Sequence, residues 1–345
     1  MGPPGCRSLS LAAAVAALAA LAAQWRALQP YATPLAELTQ AKALFLDGVR
    51  GGSSGPPAAA DGVPRAMLLV LFDDLGLGDL GLGDLGCSAS ASAGHRRRVA
   101  IATPRIDELA SGGVLLSRFY AGSSVCTPSR AALFTGRIAP RTGAGSVVYF
   151  PPGHPATWAT WALGHAPSLL PDELTFGDAL SAAGWRASLV GKWHLTSSAT
   201  SGLPSDFGFG SHFGALYSND MEPFVYLRDG QLAEASPDQA LSTEAYTLEA
   251  VSQIEAAYVA GEPVGGGPLA LVVAYHAPHD PLHVRPSLLG RSDAGLFGDV
   301  VEEVRTAEPR ALCKTVSTKA GACSWTGAWG GCGTRWWGSG WGTTR

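Results

Sequence analysis

The chain has 345 residues, of which 46% are hydrophobic and 15% charged, and its formal net charge at pH 7 is −4. This length suits one large α/β domain or two smaller ones, and the composition is that of a globular protein. The slightly negative charge excludes the strongly basic composition typical of nucleic-acid-binding proteins, although it is compatible with a local cationic site for an anionic ligand.

The N-terminus has the pattern of a secretory signal peptide. Arg7 supplies a positive charge ahead of the uncharged Leu/Ala run Leu9–Ala23, and Ala20-Leu21-Ala22 fits a small-residue cleavage site. The run is shorter than the roughly 20 apolar residues that a membrane-spanning helix needs. We therefore predict that residues 1–23 are a signal peptide, that no stable membrane span exists, and that the protein is exported to a secreted, lysosome-like or periplasmic location. A buried Ala-rich helix or an uncleaved anchor is the alternative.

Composition divides the rest of the chain into three segments. Residues 24–65 form an N-terminal segment, with a short helix predicted around Leu35–Leu46, and a linker at 51–65 that is rich in Gly, Pro and Ala. Residues 66–304 have the apolar periodicity of a folded domain. The tail, 305–345, ends in a stretch with five Trp among Gly, Thr and Arg without a period. We predict that this tail is unstructured.

Apolar runs alternate with amphipathic segments within residues 66–304. Buried strands of a parallel sheet are continuous apolar runs, and helices repeat apolar residues at helical spacing. Strands are predicted at 67–72, 114–120, 186–190 and 269–275, and helices at 104–112, 129–135, 175–183 and 240–259. This order predicts an α/β fold with a mostly parallel sheet flanked by helices, and ligands at the carboxyl ends of the strands.

Four polar patches follow the predicted strands: Asp73-Asp74, Cys126–Arg130, Lys192–His194 and His276–His283. Each patch alone has an ordinary structural explanation, such as a helix cap, a surface loop or a hydrogen-bonded loop histidine. Their common position at one edge of one sheet favours a functional site. The six cysteines show no spacing typical of a disulfide framework or a zinc site, which leaves a cysteine free for chemistry.

The residue types in these patches suit the chemistry of an anionic ester. Adjacent carboxylates such as Asp73 and Asp74 are hard oxygen ligands for Ca²⁺ or Mg²⁺. Arg130 and Lys192 complement an anionic tetrahedral group. A cysteine at a helix N-terminus, here Cys126, occupies a position for an activated nucleophile. Together they predict a metal-assisted hydrolase of sulfate or phosphate esters.

The segment Cys126-Thr-Pro-Ser-Arg130, followed by Thr135-Gly136-Arg137, resembles the C-x-P-S-R and T-G-R signature of type I, formylglycine-dependent sulfatases at each fixed position. Other segments resemble motifs of that family in the same chain order: Leu71–Gly76, Gly191–Leu195, Tyr217–Asp220 and His276–Leu282. The resemblance covers residues 66–304. It implies an alkaline-phosphatase-like fold and an arylsulfatase-like sulfuric ester hydrolase.

The resemblance also implies how the nucleophile and its metal are made. A formylglycine-generating enzyme would oxidise Cys126 to Cα-formylglycine, and Thr127, Pro128 and Arg130 would be part of what it reads. Asp73, Asp74 and the modified Cys126 would bind a divalent cation, Ca²⁺ with Mg²⁺ as the alternative.

The remaining matched residues would act on the sulfate ester, which is the implied substrate. Arg130 would orient the formylglycine diol, one oxygen of which attacks sulfur. Lys192 and His279 would stabilise or protonate the leaving oxygen, and Ser218 would supply a substrate-side hydroxyl. Lys192 and His194 would contact the sulfate, and His194 would assist the expulsion of sulfate.

Two departures from the family pattern stand out. A doubled Leu-Gly-Leu-Gly-Asp repeat begins at Leu75, and with the Ser/Ala/Arg stretch after it lengthens the loop before Cys126, an insertion that loops tolerate at modest entropic cost. After Val301–Val304 the sequence contains no Asp-Asn-Gly strand and no counterpart of the family's small C-terminal domain. We therefore expect a chain truncated or frameshifted after about residue 304, and little or no activity. The alternatives are a non-catalytic secreted protein and a phosphatase or phosphonate hydrolase of the same superfamily.

Overall fold

A computed structural model describes residues 40, 42–48, 66–80, 101, 103–149, 154–162, 168–259, 262–263, 267–306, 324–329 and 332–337. The predicted signal peptide and the linker at 51–65 lie outside the described residues, as does most of the expanded loop before Cys126. None of the helices in the described ranges is long and apolar enough to cross a membrane.

The helices and strands of the described part alternate as expected. The α-helices are α1 (Pro104–Gly112), α2 (Cys126–Thr135), α3 (Pro155–Ala162), α4 (Phe176–Ala182), α5 (Ser242–Ala257) and α6 (Gly295–Thr306). Short 3₁₀ turns lie at Leu77–Asp79, Ala139–Thr142, Pro204–Phe207, Gln239–Leu241 and Pro286–Leu288. The strands are β1 (Ala66–Leu71), β2 (Val114–Leu116), β3 (Arg186–Gly191), β4 (Ser211–Gly214), β5 (Tyr226–Arg228), β6 (Gln231–Glu234), β7 (Tyr258–Val259), β8 (Glu262–Pro263), β9 (Leu269–Ala274), β10 (Ser324–Trp329) and β11 (Cys332–Trp337).

A nine-stranded sheet in the order β2-β11-β10-β1-β9-β3-β4-β5-β6 forms the centre of the fold. The run from β10 to β4 is parallel, and the strands on either side of it are antiparallel. A separate two-stranded ribbon joins β7 to β8. The predicted α/β fold with a mostly parallel sheet is confirmed.

The central strands explain why the sheet forms where it does. All six residues of β9 are buried, and β1 is buried at five of its six positions. Strands covered on both faces stabilise the fold by roughly 1.5–3 kcal/mol for each large apolar side chain removed from water. The rings of Phe72 and Tyr275, which follow β1 and β9, stack with centroids 5.3 Å apart. The core therefore continues up to the carboxyl edge of the sheet.

The registers of β1, β9 and β3 bring their ends to one level. Leu71 and Gly191 are both paired with Ala274, the last residue of β9. Gly191 has φ +104°, and a Cβ built on it would lie 2.0 Å from the Ala274 carbonyl oxygen. Only glycine fits this close approach. The polar residues that follow these three strands consequently emerge side by side.

The tail differs from the sequence-based expectation. Two of its segments, 324–329 and 332–337, are strands rather than unstructured chain. β10 pairs in parallel with β1 from Met67↔Ser324 to Leu71↔Ala328, and β11 pairs antiparallel with β10. These segments form strands because β1 has a second edge, on the side away from β9, and the N–H and C=O groups along that edge require hydrogen-bond partners. Periodicity gave no signal because Gly and Trp alternate irregularly here.

Smaller differences concern element boundaries. The strand predicted at 114–120 ends at Leu116, and the helix predicted from Ser129 begins at Cys126. The helix predicted around Leu35–Leu46 is described at 42–48. There Lys42 Nζ donates a hydrogen bond to the Glu173 carbonyl oxygen at 2.9 Å, which ties the N-terminal segment to the domain.

Candidate active site

The predicted site residues lie at the carboxyl edge of the sheet. Asp73 and Asp74 follow β1, Lys192 and His194 follow β3, Ser218 follows β4, His279 follows β9, and Cys126 and Arg130 lie in the first two turns of α2. Parallel strands bring such residues to a common edge although they are far apart in sequence. Hydrogen bonds and ion pairs join Asp73, Lys192, Ser218 and Arg130 into one cluster, with Asp74 and His279 paired beside it.

Asp73 and Lys192 form the buried centre of the cluster. The Lys192 ammonium donates to an Asp73 carboxylate oxygen, and their side chains are 0% and 8% exposed. Burial alone would raise the pKa of Asp73, but the charges of Lys192 and Arg130, together with the Lys192 hydrogen bond, hold that pKa well below its ordinary value. Asp73 is therefore ionised across the physiological range.

Ser218 is brought to the same lysine. Lys192 Nζ donates a second hydrogen bond to Ser218 Oγ at 2.9 Å, and Ser218 is buried. The ammonium thus has two fixed oxygen acceptors, which define its position.

Arg130 connects α2 to this centre. Its Nη1 donates to the Lys192 carbonyl oxygen at 2.5 Å, and Nη2 lies 3.6 Å from Asp73 Oδ2. The side chain is 3% exposed. Its Nε–H is buried and has no hydrogen-bond partner among the described residues. A buried donor without a partner is costly, so this group is available to a ligand oxygen.

Cys126, His279 and Asp74 form the outer part of the cluster. Cys126 is the first residue of α2, has a free thiol and is partly exposed. His279 Nε2 lies 3.6 Å from Asp74 Oδ2, whose side chain is 61% exposed. Burial lowers the pKa of His279, but a hydrogen bond with Cys126 and the charges of Asp73 and Asp74 outweigh it, so that pKa is raised.

His194 differs from His279 in its environment. It is fully buried, and its Nε2 contacts the Val148 carbonyl oxygen at 2.9 Å. Burial is the main cause of a pKa well below the ordinary value, and the charges of Lys192 and Arg130 lower it further. The neutral ring must then carry its proton on Nε2, because a carbonyl oxygen can only accept. His194 Nδ1 is left as a buried acceptor with no partner in the described part of the chain.

The backbone of His194 is strained. Its φ is +58°, the left-handed region that side chains with a Cβ rarely occupy. Such a conformation costs about 1–3 kcal/mol and persists only where surrounding contacts hold it. Here His194 N–H donates to the Leu216 carbonyl oxygen at 3.0 Å. The strain marks a residue whose position is imposed by its neighbours.

His276, in the same sequence patch as His279, is a core residue. It is 4% exposed, with Nε2 3.1 Å from the Tyr217 carbonyl oxygen and Nδ1 3.3 Å from the Tyr246 hydroxyl. Burial lowers its pKa to about 3. Of the two histidines, His279 is the partly exposed one and lies 3.6 Å from Asp74, which supports its selection as the site histidine.

A cavity of about 960 Å³ opens beside the cluster. Its walls include Asp73, Asp74, Cys126 and Arg130. Tyr120, from the segment before α2, also lines the cavity and is 80% exposed. Cys126, the cation Arg130 and the two carboxylates therefore all line one cavity.

The donor chemistry for a divalent cation is present only in part. Asp73 and Asp74 offer hard carboxylate oxygens, but Ca²⁺ takes six to eight oxygen ligands. In the described ranges no group of three or more His, Cys, Asp or Glu side chains is arranged to hold a metal ion. Next to β1, where a further ligand-bearing strand could stand, lies β10, whose sequence Ser-Trp-Thr-Gly-Ala-Trp contains no carboxylate.

The sequence comparisons agree with this geometry. A family model described as Sulfatase matches residues 65–296. Arylsulfatase A of Bos taurus is 34% identical over 264 residues, which covers 71% of this chain and 47% of the relative. N-acetylgalactosamine-6-sulfatase of Sus scrofa is 31% identical over 274 residues, which covers 76% of this chain and 48% of the relative. The chain thus spans about half the length of these curated relatives.

Solved structures share the fold. The PsFucS1 sulfatase from Pseudoalteromonas sp. superposes with a TM-score of 0.58 at 24% identity, covering 86% of this chain and 59% of that one. Ps i-CgsB in complex with k-i-k-neocarrahexaose gives a TM-score of 0.58 at 20% identity, covering 77% and 58%. Because the family model matches residues 65–296, well over half of this chain, and a curated relative is 34% identical over 71% of this chain, the chain belongs to the sulfatase family.

Proposed function

We propose that the site hydrolyses a sulfuric ester, with an arylsulfatase-like reaction at residue 126. The observation that carries the proposal is the position of Cys126, at the start of α2, in the wall of the cavity that Asp73, Asp74 and Arg130 also line, beside the buried Asp73–Lys192–Arg130 group. This arrangement supports a nucleophile at residue 126 next to the cation Arg130 and the two carboxylates, with Lys192 behind them in contact with Asp73. The sequence Cys-Thr-Pro-Ser-Arg at the same place supports sulfate over other anions.

The charges of the cluster suit an anionic group. Lys192 and Arg130 are two cations that share one buried carboxylate, Asp73, so one positive charge is in excess among these three buried groups; the carboxylate of Asp74 lies outside them and is 61% exposed. His279, with its raised pKa, adds a third cationic group at moderately acidic pH. Preorganised cations of this kind stabilise charge that develops on transferred oxygens. We assign sulfate contact to Lys192, His194, Ser218 and His279.

Each histidine has one role in proton transfer. His194 Nδ1, which is buried, unprotonated and without a partner among the described residues, accepts a proton. His279, which is partly exposed and has a raised pKa, donates a proton to the leaving oxygen. The low pKa of one ring and the raised pKa of the other separate base from acid.

Two groups would complete the chemistry. We propose that Cys126 is oxidised to Cα-formylglycine by a formylglycine-generating enzyme during export, which supplies an oxygen nucleophile. Arg130 Nε–H is the donor available to orient it. We propose that Asp73, Asp74 and the modified residue 126 bind Ca²⁺ or Mg²⁺, which would polarise a sulfate oxygen. Because the described residues supply few ligands, we expect weak cation binding.

The test uses the full chain co-expressed with and without a formylglycine-generating enzyme. Mass spectrometry of the peptide containing residue 126 measures conversion, and 4-nitrophenyl sulfate and 4-nitrophenyl phosphate are assayed with Ca²⁺ or Mg²⁺. The proposal expects sulfate hydrolysis only by converted protein and none by Cys126→Ala. Converted protein that cleaves the phosphate ester and not the sulfate would instead identify a phosphatase of the same superfamily.

A second candidate is a non-catalytic sulfatase-like protein. It is favoured by one observation, namely that β10, which lies next to β1, carries no carboxylate. Isothermal titration with Ca²⁺ separates the two candidates. Converted protein with no detectable Ca²⁺ binding and no turnover would support the non-catalytic protein.

A further inference from the structure

Thr127, Val148 and His194 form a closed set of three hydrogen bonds next to Cys126. The Thr127 hydroxyl donates to the His194 carbonyl oxygen at 3.0 Å, and it accepts from the Val148 N–H at 3.1 Å. His194 Nε2 contacts the Val148 carbonyl oxygen at 2.9 Å, which closes the set. All three residues are at most 2% exposed.

These hydrogen bonds restrain both the main chain and the ring of His194. Thr127 holds its main-chain carbonyl, and Val148 holds its ring, so the backbone at φ +58° and the side chain are restrained together. The Val148 carbonyl keeps the hydrogen on Nε2, which leaves Nδ1 as the acceptor. Thr127 in turn positions Val148 through its N–H.

We infer that Thr127 is a positioning residue that holds the His194 ring, through Val148, in the tautomer that leaves Nδ1 free to accept a proton. The expected effect of Thr127 on turnover rests on the proposed function, whereas its effect on the His194 ring does not. The ring geometry itself can be measured without activity. Because Thr127 immediately follows Cys126 in the first turn of α2, it links the start of that helix to His194.

The experiment compares Thr127→Val, Thr127→Ser and Thr142→Val in the full chain. Valine has the shape of threonine without the hydroxyl, and serine retains the hydroxyl. Thr142 is a matched control, because it is also 0% exposed, donates to the Ala139 carbonyl oxygen at 2.7 Å and accepts from the Ala144 N–H at 3.3 Å. It shares the burial and the two bonds, but makes no bond to His194.

The first readout is the ¹⁵N spectrum of the histidine rings, with His194→Gln used to assign the signal. We expect wild type, Thr127→Ser and Thr142→Val to show the single Nε2–H tautomer of His194. Thr127→Val should show a mixture of tautomers. Both valine variants should lose similar thermal stability, which separates positioning from a general loss of packing.

The second readout is turnover per converted residue 126, since Thr127 also lies in the segment that we propose the formylglycine-generating enzyme reads. Thr127→Val should lower kcat about 10- to 100-fold with little change in KM, as for other supporting residues of catalytic groups, and Thr127→Ser should restore it. The inference would be overturned if Thr127→Val and Thr142→Val had the same ¹⁵N signal for the His194 ring and the same kcat. The wild-type protein could show no turnover while Thr127→Val still converts the single Nε2–H tautomer of His194 into a mixture. That result would support the positioning role of Thr127 and refute only the proposed function.

Discussion

The Lys192 ammonium binds the Asp73 carboxylate across the end of β9, because the two residues follow strands β3 and β1 that flank it. Neither group is accessible to water to any large extent, with side chains 0% and 8% exposed. The pair therefore connects the stability of the sheet edge to the charge of the site.

Removing one member of this pair should be costly. Lys192→Met leaves Asp73 buried with only the more distant Arg130, and breaking a buried pair in this way lowers the free energy of unfolding by up to about 3–5 kcal/mol. The double variant Asp73→Asn/Lys192→Met should recover part of that loss. Urea denaturation of the three proteins measures it. Arg228→Met, which breaks the more exposed pair with Glu249, is the control and should cost less than about 1 kcal/mol.

The carboxylate of Asp73 should also make the stability of the folded protein depend on pH. The pKa of Asp73 is depressed in the folded protein, so its contribution is fully present above the unfolded value of about 3.9 and is lost as pH falls towards the folded pKa. Thermal unfolding of wild type and Asp73→Asn between pH 2 and 7 checks this. The midpoint difference should shrink below pH 4; a difference that stays constant with pH would contradict the assignment.

His279 should set the alkaline limit of turnover. A hydrogen bond with unmodified Cys126 and the charges of Asp73 and Asp74 raise the pKa of His279. The two carboxylates remain after conversion of residue 126, so activity should fall as pH rises through the pKa of His279. In His279→Gln this limb should disappear and kcat should fall about 10²- to 10⁴-fold. The control is His154→Gln, an exposed histidine outside the cluster. An unchanged pH profile in His279→Gln would exclude it as the acid.

Gly191 should tolerate no side chain. Gly191→Ala places a methyl group 2.0 Å from the Ala274 carbonyl oxygen, so β3 and β9 would have to separate where Lys192 begins. Gly290→Ala is the matched control, because Gly290 also has positive φ, +76°, but no atom lies within 4 Å of its Cβ position. The control should cost about 1–2 kcal/mol of unfolding free energy. Gly191→Ala should cost clearly more, and equal losses would mean that the sheet relaxes freely.

The sequence allowed prediction of the parts that depend on periodicity and on side-chain chemistry. The bounds of α1 were predicted correctly, and β1, β3 and β9 were each found within a residue, because buried parallel strands are continuous apolar runs. The polar residues after them were found because parallel strands share an edge. The positions of Asp73 and His279 in the cluster follow from that topology.

Other parts could not be predicted because they depend on main-chain groups. Val148 enters the site through its N–H and carbonyl oxygen, so no side chain signals its role. The Thr127 hydroxyl finds partners 67 and 21 residues away, a pairing that exists only after folding. The strand segments 324–329 and 332–337 also lack periodicity, and β1 supplies the partner that makes β10 a strand.

The pairing of β10 with β1 has a consequence for the behaviour of the protein in solution. Without the segments 324–329 and 332–337, the Met-Leu-Leu-Val-Leu run of β1 would end the sheet as a flat, apolar edge with open hydrogen-bonding groups. Such edges recruit strands from other molecules and lead to aggregation. By pairing with β1, β10 therefore covers an apolar strand edge that would otherwise be open to strands of other molecules.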